Sequence, residues 1–210
     1  MLPLVLFGLL CLAALMTLVL TSGDVKSTDA QVARWAAEDV PSSMTDAAQI
    51  LTHLADTPVY IALAACVAVI LLVAKQHRLA GFLISVAVGQ WLLSSLVKHL
   101  VQRERPNLDR LVDASGYSFP SGHATAAAAL FLALALVVIT VRPTWHRVAV
   151  LAVGISTGVA VAATRVLVGV HWTTDVLAGL ALGWSWCLIC AMAFGVVLTS
   201  HVRREQPAAG

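Results

Sequence analysis

The sequence has few charged residues. Asp, Glu, Lys and Arg make up only 11% of its 210 positions, whereas a soluble domain carries about 25%. Hydrophobic residues reach 60%, and a chain of this length cannot bury that much apolar surface inside one globule. A soluble enzyme, a disordered chain and a collagen-like chain are therefore disfavoured, and lipid is the expected solvent for much of the surface.

The chain also lacks a large net charge, because 13 basic and 11 acidic residues leave only +2, which does not suggest nucleic-acid binding. Cysteine is scarce, and the four cysteines lie in apolar runs that imply no disulfide framework. Cys187 and Cys190 form a C-x-x-C pattern that is compatible with redox or metal chemistry. Buried cysteine usually behaves as a small hydrophobic residue, and we interpret the pair in that way.

Long apolar runs are abundant. A transmembrane helix needs about 20 apolar residues, and six stretches meet or approach this length: Leu2–Leu20, Val59–Ala74, Leu79–Leu100, Ala124–Val141, Val148–Leu167 and Val176–Thr199. The sequence therefore predicts a single all-α domain over residues 1–210, an integral membrane bundle of six transmembrane helices. The first run resembles a signal peptide but lacks a basic start and a cleavage pattern, so we interpret it as a retained helix.

Charged residues in the links between these runs predict the orientation. The links Lys75–Arg78 and Arg142–Arg147 and the C-terminal tail are basic, whereas the opposite links hold nine acidic residues. The positive-inside rule then places both termini in the cytoplasm. Five basic residues nevertheless lie on the predicted extracytoplasmic side, namely Lys98, Arg103, Arg105, Arg110 and Arg165. The predicted orientation therefore requires that these residues have a role other than marking the cytoplasmic side.

The segment 22–57 between the first two runs is polar but carries helix signals. Residues 27–29 are candidate caps for a helix that runs toward Glu38, and Thr45 or Asp46 could cap a second helix. A solvated linker is the alternative. We expect short extracytoplasmic helices at the membrane interface, with Trp35 as an anchor.

Ionisable residues cluster at three predicted helix ends. The clusters are Lys98–Pro106 at the end of the third run, Pro120–His123 at the start of the fourth, and Thr164–Asp175 between the fifth and sixth. Ionisable groups near a bilayer are costly and usually serve a function. Because an even number of crossings separates these ends, all three clusters are predicted to meet on one face.

The residue types in these clusters predict a phosphate-binding cradle. Three fixed cations are available, Lys98, Arg105 and Arg165, and arginine matches phosphate oxygens in a two-pronged geometry. Ser121 and Gly122 lie at a helix start, where free N–H groups attract an anion. Pro120 suits a first-turn position of the same helix.

Two histidines complete a candidate catalytic set. His171 and Asp175 are four residues apart, so on a helix they would face each other. The carboxylate would then fix the imidazole tautomer and leave the other nitrogen free to attack. His123 is placed to protonate a leaving oxygen. Arg103 and Arg110 lie near the site, either attracting anionic headgroups or simply solvated.

The three clusters together resemble the signature of the type-2 phosphatidic acid phosphatases, membrane lipid phosphatases that are related to vanadium haloperoxidases. The matching motifs are Lys98-x6-Arg105-Pro106, Pro120-Ser121-Gly122-His123 and Arg165-x5-His171-x3-Asp175. One departure concerns the third motif, which usually opens with Ser-Arg. Thr164 precedes Arg165 here and keeps the hydroxyl.

This resemblance implies that His171 is the nucleophile that forms a phosphohistidine, that Asp175 orients it, and that His123 protonates the leaving group. It also implies a set of phosphate-binding residues and two accessory residues, with no metal or other cofactor. The phosphate-binding set is Lys98, Arg105, Ser121, Gly122 and Arg165, and the accessory residues are Thr164 and Pro120.

The implied function is hydrolysis of a lipid phosphate or diphosphate at the extracytoplasmic face of a bacterial plasma membrane. Candidate substrates are an undecaprenyl-type polyprenyl diphosphate, phosphatidylglycerol phosphate and phosphatidic acid, and we favour a polyprenyl diphosphate or a broad specificity. A lipid phosphotransferase that uses the same nucleophile is one alternative. A catalytically inactive membrane scaffold is another, although the intact set of cations and histidines disfavours it.

Overall fold

The computed structural model describes residues 1–107, 111–141 and 146–196. Within these ranges the chain forms α-helices and one short 3-10 helix, and it has no β-strand. The helices are α1 (Leu2–Thr21), α2 (Gly23–Glu38), α3 (Ser42–Thr52), α4 (Thr57–Val73), α5 (His77–Val101), α6 (Gly122–Val141), α7 (Arg147–Leu167) and α8 (Thr173–Ala193), with the 3-10 helix His53–Ala55 between α3 and α4. The predicted all-α class is confirmed.

Five helices, α1 and α5 to α8, are long and apolar enough to cross a membrane. The predicted second span corresponds to α4, which has 17 residues and is therefore about 25 Å long. It reaches the length of a sixth span only together with α3, from which it is bent by 47°. Residues 54–58 do not extend the run Val59–Ala74 as one straight helix, because the backbone of Asp56 is extended and the chain turns there.

Helix α6 lies at the centre of the bundle. In its most apolar stretch 72% of the residues are buried, compared with 11% for α1. Its first half is rich in alanine, and such small side chains let α5, α7 and α8 approach it closely. A helix that is apolar on all sides is typical of a buried position, whereas α1 packs mainly on α8 and exposes large side chains such as Phe7 and Leu10.

Helices α6 and α8 are in backbone contact at two glycines of α8. A Cβ atom on Gly179 would lie 2.7 Å from the carbonyl oxygen of Ser121, and one on Gly183 would overlap the carbonyl oxygen of Thr125. Both obstacles are backbone atoms, so no side chain can rotate away. This close approach fixes the start of α6, which carries the second motif, against the start of α8, which carries the third.

We expect Gly183→Ala to destabilise the protein, because the added methyl group forces α6 and α8 apart. Overpacking of this kind costs roughly 1–3 kcal/mol. Thermal unfolding of the purified protein in detergent would measure the change. Gly23→Ala is a matched control, since a Cβ at Gly23 meets no atom within 4 Å. Equal melting temperatures for the two variants would contradict the packing argument.

Helix α8 is shorter than the predicted span, which runs to Thr199. Gly195 has φ +61, and the N–H of Val196 donates to the carbonyl oxygen of Ala191 at 2.7 Å, an arrangement that closes a helix C-terminus. Residues 197–199 lie outside the described part of the chain. Cys187 and Cys190 are buried in the core on this helix as free thiols, in agreement with their interpretation as packing residues.

The segment 22–57 is helical, but its helices begin earlier than predicted. Ser22 caps α2 by accepting a hydrogen bond from the N–H of Val25 at 3.3 Å. The hydroxyls of Ser27 and Thr28 instead bond to the carbonyl oxygen of Asp24 within the helix.

Helix α3 likewise begins at Ser42, directly after Pro41, rather than at Thr45 or Asp46. Both helices have a buried face, formed by Asp29, Ala33 and Ala36 on α2 and by Ala48 and Thr52 on α3. The segment is therefore not a solvated linker.

Candidate active site

The three motifs meet where α5 and α7 end and where α6 and α8 begin. The N–H of Ser121 donates to the carbonyl oxygen of Asp175 at 2.9 Å, which joins the second motif to the third. The guanidinium of Arg105 lies 3.1 Å from Nε2 of His171, which joins the first motif to the third. The structure therefore brings the predicted clusters together on one face of the bundle.

The spacing between Arg165 and His171 results from a chain reversal at the end of α7. Gly169 has φ +74 there, a conformation that glycine adopts readily. The N–H groups of Val170 and His171 both donate to the carbonyl oxygen of Arg165, each at 3.2 Å. The reversal returns His171 to the helix end that carries Arg165.

His171 and Asp175 do not lie on one helix, in contrast to the prediction. His171 precedes α8, and Asp175 is the third residue of that helix. Nδ1 of His171 lies 3.3 Å from Oδ2 of Asp175, which also accepts a hydrogen bond from the N–H of Trp172 at 3.0 Å. The four-residue spacing works because the carboxylate folds back over the helix start. Both side chains are buried.

The neighbours of His171 define its tautomer. Arginine can only donate, so Nε2 accepts a hydrogen bond from Arg105 and the proton lies on Nδ1, facing Asp175. Burial lowers the pKa of His171 to about 3, because the desolvation of the charged form outweighs the stabilising carboxylate. The imidazole is therefore neutral near pH 7, and the lone pair of Nε2 faces a guanidinium, where an anion would bind.

The predicted phosphate-binding cations are held by the protein. Nζ of Lys98 donates to the carbonyl oxygen of Tyr117 at 2.8 Å, and Nε of Arg105 donates to that of Gly116 at 3.0 Å. Arg165 donates from one terminal nitrogen to Oγ1 of Thr52 at 2.6 Å. Its Nε is buried and has no hydrogen-bond partner among the described residues, so it is a donor that a bound anion could satisfy.

The start of α6 provides part of the predicted anion site. Ser121 precedes the helix, and its hydroxyl accepts from the N–H of Ala124 at 3.4 Å. The N–H groups of Gly122 and His123 belong to the first turn, which has no acceptors within the helix. Pro120 lies two residues before the helix, after a cis peptide bond, and not in its first turn as predicted.

His123 pairs with Asp56, which was not among the predicted site residues. Its Nε2 lies 3.0 Å from Oδ1 of Asp56, and Oδ2 of the same carboxylate lies 2.6 Å from Nδ1 of His53. Partial burial raises the pKa of Asp56, but the hydrogen bonds from both histidines lower it more, and the net shift is downward. The sequence signal that could have identified Asp56 is its position directly before Thr57 and Pro58, where a helix starts.

Arg103 is bound within the protein, so it is neither simply solvated nor free to attract anionic lipid headgroups. One terminal nitrogen donates to Oδ1 of Asp175 and to Oγ1 of Thr174, both at 2.7 Å, and the other donates to Oδ2 of Asp29 at 2.8 Å. Its guanidinium also lies 5.3 Å from the centre of the Trp172 ring, within the range of a cation–π contact. Arg110 lies outside the described residues.

The accessory residue Thr164 is buried, and its hydroxyl donates to the carbonyl oxygen of Val161 within its own helix at 2.6 Å. Among the described residues, no group of three or more His, Cys, Asp or Glu side chains is suited to hold a metal ion.

A cavity of about 780 Å³ extends from the site between α4, α5 and α6. Lys98, Gly122 and His123 line one end of it. Apolar side chains continue along α4 and α5, among them Ile61, Ala64, Leu83, Ile84 and Val88. The cavity thus joins a cationic end to a long apolar part.

Comparisons with known proteins agree with the helical fold. Residues 78–198 match the model of the PAP2 superfamily. The crystal structure of a transmembrane PAP2-type phosphatidylglycerolphosphate phosphatase from Bacillus subtilis superposes with a TM-score of 0.82 at 25% identity, over 98% of each chain.

Similar curated proteins include phosphatidylglycerophosphatase B of Bacillus subtilis, 37% identical over 44% of this chain and 46% of that protein. Lipid A 1-phosphatase of Rhizobium etli is 35% identical over 55% of this chain and 50% of its own length. Undecaprenyl-diphosphatase of Sulfolobus acidocaldarius is 33% identical over 57% of each. The chain thus spans about half the length of the curated relatives that it matches. Since the family model covers more than half of the chain and includes all three motifs, the chain belongs to the PAP2 superfamily.

Proposed function

We propose that this protein is a lipid phosphatase that hydrolyses a phosphate or diphosphate ester on a membrane lipid through a phosphohistidine intermediate. The observation that carries the proposal is the cavity, which joins Lys98, Gly122 and His123 at the site to an apolar space between membrane helices. A lipid phosphate has the same division, with an anionic head and a hydrocarbon tail.

In the first step, Nε2 of His171 attacks the phosphorus atom, and the bond between phosphorus and the lipid oxygen breaks. Asp175 stabilises the positive charge that forms on the imidazole ring. Arg105, Arg165 and Lys98 stabilise the charge on the phosphoryl oxygens. Protonated His123, held at Nε2 by Asp56, transfers a proton from Nδ1 to the leaving oxygen.

In the second step, water attacks the phosphohistidine. Neutral His123 removes the proton from this water, the bond between phosphorus and Nε2 breaks, and inorganic phosphate is released. The two steps return both histidines to their starting protonation states.

We infer a polyprenyl diphosphate substrate or a broad specificity for lipid phosphates. The relatives include a phosphatidylglycerophosphatase, a lipid A 1-phosphatase and an undecaprenyl-diphosphatase. The names of these enzymes share an anionic phosphate on a lipid, and the cavity offers a cationic end and an apolar part that suit such a group.

Phosphate release from a panel of lipids in detergent tests the function. The panel contains undecaprenyl diphosphate, phosphatidylglycerol phosphate and phosphatidic acid, with His171→Ala protein as the blank. A phosphorylated acceptor alcohol in place of free phosphate would favour the phosphotransferase. Failure to release phosphate from any of the lipids would favour the inactive scaffold.

Activity should persist in excess EDTA, because the predicted phosphate ligands are cations that already supply the charge stabilisation that a metal ion could provide. Orthovanadate should inhibit by occupying the same cradle. Both effects are measured by phosphate release from the best lipid of the panel. Loss of activity in EDTA that returns with Mg²⁺ would contradict this prediction.

We infer that the site faces the extracytoplasmic side of a bacterial plasma membrane. The support is the basic character of the opposite links together with the binding of Arg103, Arg105 and Arg165 within the protein, which gives those residues a role unrelated to membrane orientation.

Impermeant thiol labelling of intact cells tests the orientation in a background without the native cysteines. Asp113 lies on the face of the site and Gln76 on the opposite face, and both are exposed. Asp113→Cys should be labelled and Gln76→Cys should not. The reverse pattern would place the site in the cytoplasm.

A further inference from the structure

The segment 22–57, which contains α2 and α3, contacts the candidate active site at three separate points. The family match begins at residue 78, so no residue of this segment lies within the matched region. Each contact joins a polar side chain of the segment to one group of the site or to its direct partner.

The first contact is made by Asp29, which is 2% exposed. Oδ2 accepts from Arg103 at 2.8 Å, and Oδ1 accepts from the N–H of Thr174 at 3.1 Å. Arg103 in turn donates to Oδ1 of Asp175 at 2.7 Å. Arg103 is therefore held between two carboxylates, and it fixes Asp175 so that Oδ2 faces His171.

The second contact is made by Thr52, which is also 2% exposed. Its hydroxyl accepts a hydrogen bond of 2.6 Å from Arg165. Since Nε of Arg165 has no partner among the described residues, this bond determines how the guanidinium is presented to an anion.

The third contact is made by Asp56, whose Oδ1 lies 3.0 Å from Nε2 of His123. His53, from the same segment, holds the other oxygen of the carboxylate. The carboxylate thus fixes the imidazole ring that is assigned to proton transfer.

Charge balance gives a reason for these contacts. Four cations gather around the site, Lys98, Arg103, Arg105 and Arg165, and the carboxylate of Asp175 accepts a hydrogen bond from one of them, Arg103. Buried like charges are strongly unfavourable unless they are compensated. Asp29 and Asp56 add two negative charges to this group of cations from outside the matched region.

We propose that the segment 22–57 is a working part of the active site, in which Asp29, Thr52 and Asp56 position the nucleophile pair, a phosphate-binding arginine and the proton donor. The inference rests on the proposed function for the roles of those three groups. It assigns to the segment a task beyond lying at the membrane interface.

Each positioning residue should give a different kinetic effect. Asp29→Asn should lower kcat by up to about 100-fold, the cost of a misplaced catalytic group, with little change in KM. Thr52→Val keeps the shape of the side chain but removes the acceptor, so it should raise KM and weaken inhibition by orthovanadate about 10-fold.

Asp56→Asn should act through His123. It should slow the release of poor leaving groups more than good ones. The double variant Asp56→Asn, His123→Ala should be no slower than His123→Ala alone, because residues that act as a unit are not additive.

Matched controls come from exposed positions of α2 and α3. Asp24→Asn, Thr28→Val and Asp46→Asn make the same chemical changes away from the site and should behave like the wild-type protein. Melting temperatures in detergent identify variants that fail to fold. If Asp29→Asn is one of these, Thr52→Val and Asp56→Asn decide the question.

The outcomes separate this inference from the proposed function. An active wild-type protein whose three variants match their controls would overturn the inference and leave the function intact. A wild-type protein that hydrolyses no lipid would remove the function. Orthovanadate binding, followed by thermal shift, would then test the role of the segment. Weaker binding to Thr52→Val than to the wild-type protein supports the inference, and unchanged binding overturns it.

Discussion

His171→Ala should abolish turnover while binding of the lipid phosphate remains. Removal of a catalytic nucleophile costs on the order of 10⁶-fold in kcat in enzymes where it has been isolated. The imidazole is suited to this role because Nδ1 is held by Asp175 and burial keeps the pKa of His171 near 3, so that Nε2 retains its lone pair at neutral pH. The cations of the cradle are unchanged in the variant, and substrate binding should survive.

Phosphate release and lipid binding measured on the same preparation test this expectation. Wild-type protein quenched during turnover should also carry phosphate that is labile in acid and stable in base, as a phosphohistidine is. His77→Ala is a suitable control, since His77 is exposed at the opposite end of α5. Substantial turnover by His171→Ala would refute the assignment of the nucleophile.

His123→Ala should reduce the rate by about 10²–10⁴-fold, the usual contribution of a general acid, and the loss should depend on the substrate. A diphosphate releases a phosphate monoester, whereas a monophosphate releases an alkoxide, which needs the proton more. The variant should therefore lose more activity on monophosphate lipids than on diphosphate lipids. His171→Ala should lose activity on both kinds of lipid equally.

This comparison requires single-turnover conditions, in which only the formation of the phosphoenzyme is observed, because His123 also serves the hydrolytic step. Asp175→Asn should give a rate between those of the two histidine variants, since the imidazole remains but loses its orienting charge. Equal losses on both kinds of lipid would show that His123 is not the acid.

The sequence by itself determined the all-α membrane architecture and the common face of the three motifs. Apolar runs of about 20 residues specify spanning helices, because a helix satisfies its backbone hydrogen bonds within the segment. Whether an even or an odd number of crossings separates two helix ends then decides whether they lie on the same face, without any knowledge of packing. These are local or countable properties, which a single sequence contains.

The tertiary structure alone decided which polar groups support the site. Asp29 and Arg103 are 74 residues apart, Asp56 and His123 are 67 apart, and Thr52 and Arg165 are 113 apart. No periodicity in the sequence relates such positions.

Even for the local pair His171 and Asp175, the predicted contact forms in a different way. The chain reversal after Arg165 and the start of α8 bring the two side chains together in place of the expected helix. A charged side chain near lipid must find a partner. Which partner it finds depends on how the helices pack, and that information is distributed over the whole chain.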